Sequence, residues 1–296
     1  MKHFYTTMFV TSVVVLLASV AALFIWGLDF GVDFTGGSIL EVQFTERPAV
    51  EEITGVLERL NLSVLREITV SPAGEQEAIV RSGPLAEEEH QEVLRALSGA
   101  FPKVAVTEVR FDSIGPAIGA ELKRKSITAV AILLTAVLLY IAWMFRTLSR
   151  SLSLWAMAAG TVLGLAHDVL IPMGVFAVLG RYAGVEISAV FVAAILTILG
   201  YTVSDKVVIY DRVRENILRG NRAPLPDIVH RSVLQTLVRS INNTLVVILS
   251  SLAVFLFGGE SIRYFALALM LGIGLGAYSS IFVASPLLVW LSRRKS

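Results

Sequence analysis

Long apolar stretches alternate with polar segments along the 296 residues of the chain. Six apolar stretches cover about residues 8–27, 127–145, 152–180, 187–210, 241–257 and 264–291. A helix that spans a bilayer needs roughly 17–25 predominantly apolar residues, so the pattern predicts six transmembrane helices. The third stretch is interrupted by His167 and Asp168, and its length fits one tilted helix better than two spans. The first has a longer apolar core than the usual 7–15 or so residues of a signal peptide, which favours an uncleaved anchor.

The polar segment 28–123 has the pattern of a small α+β domain. Alternating apolar and polar residues predict strands, and apolar residues at helical spacing predict helices. In chain order we expect a strand at 38–44, a helix at 48–60, strands at 64–70 and 77–81 joined by a turn at 71–74, a helix at 84–97 and a strand at 104–111. This β-α-β-β-α-β order is typical of the ferredoxin-like split βαβ fold.

The predicted fold class is a polytopic α-helical membrane protein with a small ferredoxin-like domain between its first two transmembrane helices. The predicted divisions are 1–27, 28–123 and 124–296. Apolar residues make up 55% of the chain and charged residues 17%, whereas soluble domains average about 25% charged residues. The chain has no cysteine, which excludes disulfide bonds, thiolate metal ligands and a cysteine nucleophile.

Charge is divided unevenly along the chain. Residues 28–123 hold 17 of the 24 acidic and 8 of the 25 basic residues, a net charge of −9, and the remainder has a net charge of +10. Cytoplasmic loops carry an excess of Lys and Arg. One set of loops and the C-terminal tail carry Arg146, Arg150, Arg212, Arg214, Arg219, Arg222, Arg231, Arg239, Arg293, Arg294 and Lys295. We therefore expect both termini and segment 211–240 in the cytoplasm and residues 28–123 outside, although Arg124 and Lys125 go against the rule.

Motifs for covalent chemistry are missing from the sequence. There is no G-x-x-x-x-G-K-[S/T] run for ATP hydrolysis, and the serines lack a His/Asp partner pattern, so we predict neither an enzyme nor a cofactor. The four histidines are scattered, which argues against a zinc site. Residues 272–277 fit G-x-G-x-x-A but lie inside an apolar span, where helix packing through small residues is the better interpretation. The positive-inside rule explains the arginines of 212–239, and no nucleic-acid partner is predicted.

Ionisable residues inside membrane spans are rare and are candidates for function. Asp205 lies in the inner part of the fourth stretch, and Arg239 opens the fifth. The predicted orientation places both in the same half of the bilayer, so a contact between them across neighbouring helices is sterically feasible. One interpretation is a structural ion pair. The other is a carboxylate that takes up and releases protons, because burial and a nearby Arg have opposite effects on its protonation.

Further polar residues accompany these two. His167 and Asp168 lie near the middle of the third stretch, either as a satisfied buried pair or as a functional one. Asn242 and Asn243 follow Arg239 at i+3 and i+4, so the three share a helix face. Lys206 is expected to snorkel toward the inner interface.

At these residues the chain resembles the SecD/SecF family of the bacterial protein-export machinery, in the resistance-nodulation-division superfamily. The motifs that carry the resemblance are Asp33-Phe34-Thr35-Gly36-Gly37, His167-Asp168-Val169, the run Gly200–Asn216 with Asp211-Arg212, Arg239–Thr244 and Phe257–Glu260. They span nearly the whole chain. Ser204 stands where family members often have Asn, and both residues are small and polar.

The resemblance implies a subunit that pairs with SecD, associates with the SecYEG channel and uses protons to draw preproteins across the bacterial inner membrane after SecA has pushed them in. YidC is a further partner that it suggests. The family's membrane Asp and Arg correspond to Asp205 and Arg239, and we expect His167, Asp168, Asn242 and Asn243 to be supporting polar residues.

Two other functions stay open on the sequence alone. One is half of a proton-coupled small-solute exporter, and the other is a structural assembly factor whose buried charges only pack helices. The small size of the segment 28–123 argues against the exporter, because related solute exporters have much larger external domains. A dependence of activity on protons would separate the translocase subunit from the assembly factor.

Overall fold

The computed structural model describes residues 2–60, 62–65, 68–146, 153–219 and 223–292, and in this part of the chain six helices are long and apolar enough to cross a membrane. The helices are α1 (Lys2–Trp26), α2 (Val32–Thr35), α3 (Val50–Glu58), α4 (Glu87–Ala100), α5 (Pro116–Met144), α6 (Leu154–Ala183), α7 (Ala189–Leu218), α8 (Leu225–Phe257), α9 (Glu260–Ser279) and α10 (Ser285–Ser292). The strands are β1 (Gly37–Phe44), β2 (Thr69–Ala73), β3 (Glu77–Ser82) and β4 (Val106–Ile114). A π-helical turn at Ser280–Ala284 joins α9 to α10, and together they form the sixth span.

The predicted fold class is confirmed. The third apolar stretch forms one helix, α6, as expected from its length. The chain divides into two compact units, residues 1–29 with 127–296 and residues 30–126. Arg150, Arg222, Arg293, Arg294 and Lys295, which contributed to the predicted orientation, lie outside the described residues.

The smaller unit, residues 30–126, is built on one antiparallel sheet with the strand order β2-β3-β1-β4. Strand β3 separates β1 from β2, and the two helices α3 and α4 form the crossovers, which is the split βαβ arrangement. Alternate residues of β1 and β3 are buried, so one face of the sheet meets the helices. The core contains Leu40, Val42, Phe44, Ile53, Leu57, Val80, Val93 and Leu97.

The predicted strand at 64–70 and turn at 71–74 are wrong. Val64 and Leu65 lie in a 3₁₀ turn, where Leu65 is buried in the core and the Val64 carbonyl accepts a hydrogen bond from the Gly83 amide at 2.9 Å. The strand β2 begins at Thr69 and includes Pro72. Proline is tolerated there because β2 is an edge strand and needs no amide donor on its free side.

The larger unit is a helix bundle whose centre consists of α6, α7 and α9, with α1 packed on α6 and α8 packed on α7 and α9. Small residues bring the central helices close together. A Cβ atom at Gly272 would lie 2.3 Å from the Ile198 side chain, and one at Gly276 would lie 2.1 Å from Thr202. The glycines of 272–277 therefore serve helix packing, as expected, and not dinucleotide binding.

The helices α7 and α8 extend well beyond the apolar stretches. Because α7 ends at Leu218 and α8 begins at Leu225, most of the segment 211–240 is helical. Arg239 consequently lies near the middle of α8, and the prediction that it opens this helix is wrong.

Candidate functional site within the helix bundle

Asp205 lies at the contact between α7 and α8. Its side chain is nearly buried, with 9% of the residue exposed. The Ser240 hydroxyl of α8 donates a hydrogen bond to Asp205 Oδ2 at 2.9 Å. This carboxylate therefore faces a neighbouring helix through one neutral donor, within a part of the protein that spans the membrane.

Arg239 precedes Ser240 on α8, and its side chain is exposed on the surface of the isolated chain. Among the described residues no carboxylate lies within ion-pair distance, 4.0 Å, of its guanidinium. Asn242 and Asn243 are exposed as well. The three residues form one exposed polar surface on α8, which we call the α8 polar face.

A second set of polar residues lies deeper in the bundle. Lys206 Nζ is 2.6 Å from Asp168 Oδ2, and both side chains are fully buried. His167 Nδ1 lies 3.2 Å from Asp168 Oδ1, so both oxygens of this carboxylate have partners. The expectation that Lys206 snorkels is wrong, because its side chain is buried within the bundle and its ammonium group pairs with Asp168. Within the described residues no cluster of three or more His, Asp or Glu is arranged to hold a metal ion.

The motif Asp33–Gly37 forms α2 and the first residue of β1. Gly36 has φ +78°, and a Cβ atom there would lie 2.8 Å from the Pro116 Cα atom. Gly37 has φ +130°, and a Cβ atom there would lie 2.7 Å from the Ser82 carbonyl oxygen. Both positions require glycine, because a positive φ is strained for other residues and because a Cβ atom would collide with neighbouring backbone atoms.

The other residues of this motif pack around the glycines. Phe34 is buried and contacts Phe30 edge-to-face with ring centroids 5.7 Å apart. Thr35 Oγ1 donates a hydrogen bond to the Gly31 carbonyl at 3.1 Å. Asp33 lies in the single turn of α2. The motif thus serves to hold the start of β1 against the first turn of α5.

Asp211 and Arg212 lie near the C-terminal end of α7. Asp211 pairs with Arg214 at 3.4 Å, and Arg212 pairs with Glu215 one turn further on. These partly exposed pairs within one helix contribute little to stability. The ion-pair partners of Asp211 and Arg212 thus lie on α7 itself, and Asp205 is not one of them.

Comparison with known proteins places these features in a family. The family described as "Protein export membrane protein SecD/SecF, C-terminal" matches residues 94–294, and "SecD/SecF GG Motif" matches residues 21–46, which include Asp33–Gly37. The chain belongs to the SecD/SecF family. It is thus a multi-pass bacterial membrane protein of a protein-export family.

Similar SecD/SecF proteins occur both as single subunits and as longer chains. A protein translocase subunit SecF from Thermobaculum terrenum is 36% identical over 95% of this chain and 90% of its own length. One from Synechocystis is 34% identical over 97% of this chain and 92% of its own length. The crystal structure of SecDF from Thermus thermophilus, described as a translocon-associated membrane protein, matches with a TM-score of 0.83 and 32% identity. This chain covers 38% of that longer one.

The sequence alone does not single out two residues at these sites, Ser240 and Gly119, and it places a third, Lys206, at the membrane surface. Ser240 lies beside Arg239 but has no charge to draw attention to it. Gly119 was not singled out, although a Cβ atom there would lie 3.0 Å from the Phe34 carbonyl oxygen. A charge-balance argument identifies the Lys206 contact, because Asp168 in the middle of a span needs a cation on a neighbouring helix.

Proposed function

We propose that this chain is a translocase subunit that couples the proton motive force to the movement of preproteins across the bacterial cytoplasmic membrane. Asp205 is the carboxylate that exchanges the proton, and Arg239 is its partner. The observation that carries the proposal is the nearly buried Asp205 carboxylate at the α7–α8 contact, held by Ser240, the residue next to Arg239. No cofactor and no covalent chemistry enter this function.

The proton cycle follows from two arrangements of α8. In the arrangement described above, Ser240 contacts the carboxylate and Arg239 does not. A shift of α8 that brings the guanidinium to Asp205 favours the ionised carboxylate, and its withdrawal favours the protonated one. A proton that crosses 100 mV supplies about 2.3 kcal/mol, which biases a conformational equilibrium roughly fifty-fold.

The α8 polar face supports a partner in the membrane. Charged and polar residues within spans almost always face protein or a water-filled cavity, yet Arg239, Asn242 and Asn243 are exposed here. The SecDF relatives contain a second part in the same chain, beyond the 38% that this chain covers. We therefore propose that a SecD subunit covers the α8 polar face. The SecYEG channel, the translocating preprotein and YidC are the further partners, and residues 28–123 lie outside with both termini in the cytoplasm.

The alternative, half of a proton-coupled small-solute exporter, has less support. The external unit consists of residues 30–126, and its interior is filled by apolar side chains of the sheet and of both helices. A domain of this kind suits contact with a polypeptide better than enclosure of a solute.

Export into inverted membrane vesicles tests the proposal. Asp205→Asn and Arg239→Met should assemble normally and lose the part of export that depends on a proton gradient, whereas SecA- and ATP-driven export remains. Matched controls are Asp211→Asn, a carboxylate on the same helix, and Arg231→Met, an exposed arginine on the same helix as Arg239. Both controls should respond to the gradient like the parent. A full gradient response in Asp205→Asn would leave only the structural assembly role.

A further inference from the structure

Two adjacent residues of α7 contact helices on either side of it. Asp205 meets Ser240 of α8 at 2.9 Å, and Lys206 meets Asp168 of α6 at 2.6 Å. Consecutive residues on a helix point about 100° apart, so one stretch of backbone serves both contacts. The rotation of α7 about its axis that suits Lys206 therefore also determines where Asp205 points.

The Asp168–Lys206 pair lies in a space shaped to hold it. A Cβ atom at Gly164 of α6 would lie 2.5 Å from Lys206 Cε, so the observed position of the lysine side chain depends on glycine here. A Cβ atom at Gly276 of α9 would lie 3.5 Å from Asp168 Oδ2. A second hydrogen bond, from Lys206 Nζ to the Thr202 carbonyl at 3.4 Å, further fixes the ammonium group. Such close packing around two buried charges indicates a fixed arrangement.

The charged and titratable groups around Asp205 come from three helices. Arg239 comes from α8, Lys206 and Tyr201 from α7, and Asp168 from α6, and each interacts electrostatically with the Asp205 carboxylate. The central helix α9 presents Gly276 to Asp168, and its Tyr278 stacks on His167. The Lys206 and Asp168 charges act on the Asp205 carboxylate in opposite directions.

We propose that Asp168 and Lys206 form a permanently ionised positioning pair, which directs Asp205 toward α8 and sets the pH at which gradient-driven export is half-maximal. The pair itself exchanges no proton during the cycle. This inference rests on the proposed function of Asp205. It assigns a role to the deepest charges of the bundle, which that function leaves unused.

The two single substitutions are expected to shift this pH in opposite directions. Lys206→Met removes the positive charge next to Asp205 in the chain, which favours the ionised carboxylate, so the half-maximal pH rises. Asp168→Asn removes a negative charge that disfavours the ionised carboxylate and leaves Lys206 Nζ its hydrogen bond to the Thr202 carbonyl, so the half-maximal pH falls. Each shift should be on the order of one pH unit, a tenfold change in apparent proton affinity. A pair that only packs helices would lower the amount of protein and produce no shifts of opposite sign.

The measurement is export into inverted vesicles as the internal pH is varied at fixed ATP, with each rate normalised to the ATP-driven rate of the same vesicles. Ser285→Ala is the matched control. It removes the buried hydrogen bond from Ser285 Oγ to the Ser280 carbonyl at 2.7 Å, at the junction of the π-helical turn and α10, and changes no charge. Its half-maximal pH should equal that of the parent. Shifts of the same sign in the two single variants, or no shift in either, would overturn the proposal.

The double variant Asp168→Asn with Lys206→Met covers the case in which a single variant fails to accumulate, because it leaves no unpaired buried charge. Because this double variant lacks the pair that directs Asp205, the gradient-driven fraction of its export should fall several-fold relative to the parent. An unchanged fraction would also overturn the proposal. Asp205→Asn, measured in parallel, separates the two hypotheses. If it abolishes the gradient response while the pair variants behave like the parent, only the role of the pair is wrong.

Discussion

Substitution of Gly37 by alanine is expected to destabilise the α+β domain, residues 30–126, far more than the same change elsewhere in it. Gly37 has φ +130°, a backbone conformation that residues with a side chain rarely adopt, and the added Cβ atom would lie 2.7 Å from the Ser82 carbonyl oxygen. Ser82 is paired with the neighbouring Ser38 across β1 and β3. Relief of the clash therefore requires these two strands to separate at the start of their ladder.

The magnitude can be worked from two contributions. A residue held in a disfavoured backbone conformation costs about 1–3 kcal/mol, and forcing extra atoms into a packed site costs about 1–3 kcal/mol more. The sum of about 2–6 kcal/mol corresponds to exchange of protected amides that is about thirty-fold to about twenty-five-thousand-fold faster. Gly74 is the matched control, because it has φ +62° and a Cβ atom there would meet nothing within 4 Å. Its replacement by alanine should cost only about 1–2 kcal/mol.

At Gly55, in contrast, substitution by alanine is expected to increase the stability of the domain. Gly55 lies inside α3, where a Cβ atom would meet nothing within 4 Å, so Gly55→Ala should stabilise the domain by about 0.5–1 kcal/mol. The assay is hydrogen–deuterium exchange of the full chain in detergent, read by mass spectrometry on peptides from β1 and β3. The reasoning predicts the exchange order Gly37→Ala fastest, then Gly74→Ala, then parent, then Gly55→Ala. Equal exchange in Gly37→Ala and Gly74→Ala would refute the argument from close approach.

Three further substitutions test the packing of both units. Leu97→Ala should lower the opening free energy of the α+β domain by about 2–5 kcal/mol, because Leu97 is fully buried; the same exchange assay measures it. Gly164→Leu should lower the midpoint of thermal unfolding, because the leucine side chain would occupy the space of Lys206. Gly200→Leu should leave the midpoint unchanged, because a Cβ atom at Gly200 would meet nothing within 4 Å. Glu215→Gln removes partly exposed ion pairs and should change stability by less than about 1 kcal/mol, so its unfolding curve should overlie that of the parent.

The number of spans and the order of elements in the α+β domain could be predicted because each depends on a pattern that extends over many residues. An apolar stretch identifies a span whatever its exact ends are, and alternation over several residues identifies a strand. Individual boundaries depend on fewer contacts. The strand expected at 64–70 fails because Leu65 reaches the core from a 3₁₀ turn, which alternation cannot distinguish from a strand. The ends of α7 and α8 were missed because polar helices continue beyond their apolar stretches.

The geometry of the site was harder to predict, for a reason particular to membranes. Both the buried and the lipid-facing sides of a transmembrane helix are apolar, so the sequence pattern gives little information about which side faces inward. Asp205, Lys206 and Arg239 were recognised as unusual, but the direction of each side chain was not determined. Lys206 is buried, whereas snorkelling requires its side chain to reach the membrane surface. Arg239 is exposed, whereas a direct contact with Asp205 requires its side chain to face the bundle.

The inner face of α8 suits a helix that moves against a fixed centre. Its buried residues include a row of small hydroxyl side chains, Ser232, Thr236, Ser240, Thr244 and Ser251. Two of these hydroxyls donate to carbonyls of their own helix. Among the described residues, the side-chain hydrogen bonds that join α8 to α7 are those of Asn216 and the one between Asp205 and Ser240. By contrast, α6 and α7 are joined by a buried ion pair, and α7 and α9 pack closely where Gly272 and Gly276 meet Ile198 and Thr202. Under the proposed function, a change of charge at Asp205 would therefore act on the α7–α8 boundary, which has neither a buried ion pair nor close glycine contacts among the described residues and where a proton would alter the structure at the least cost.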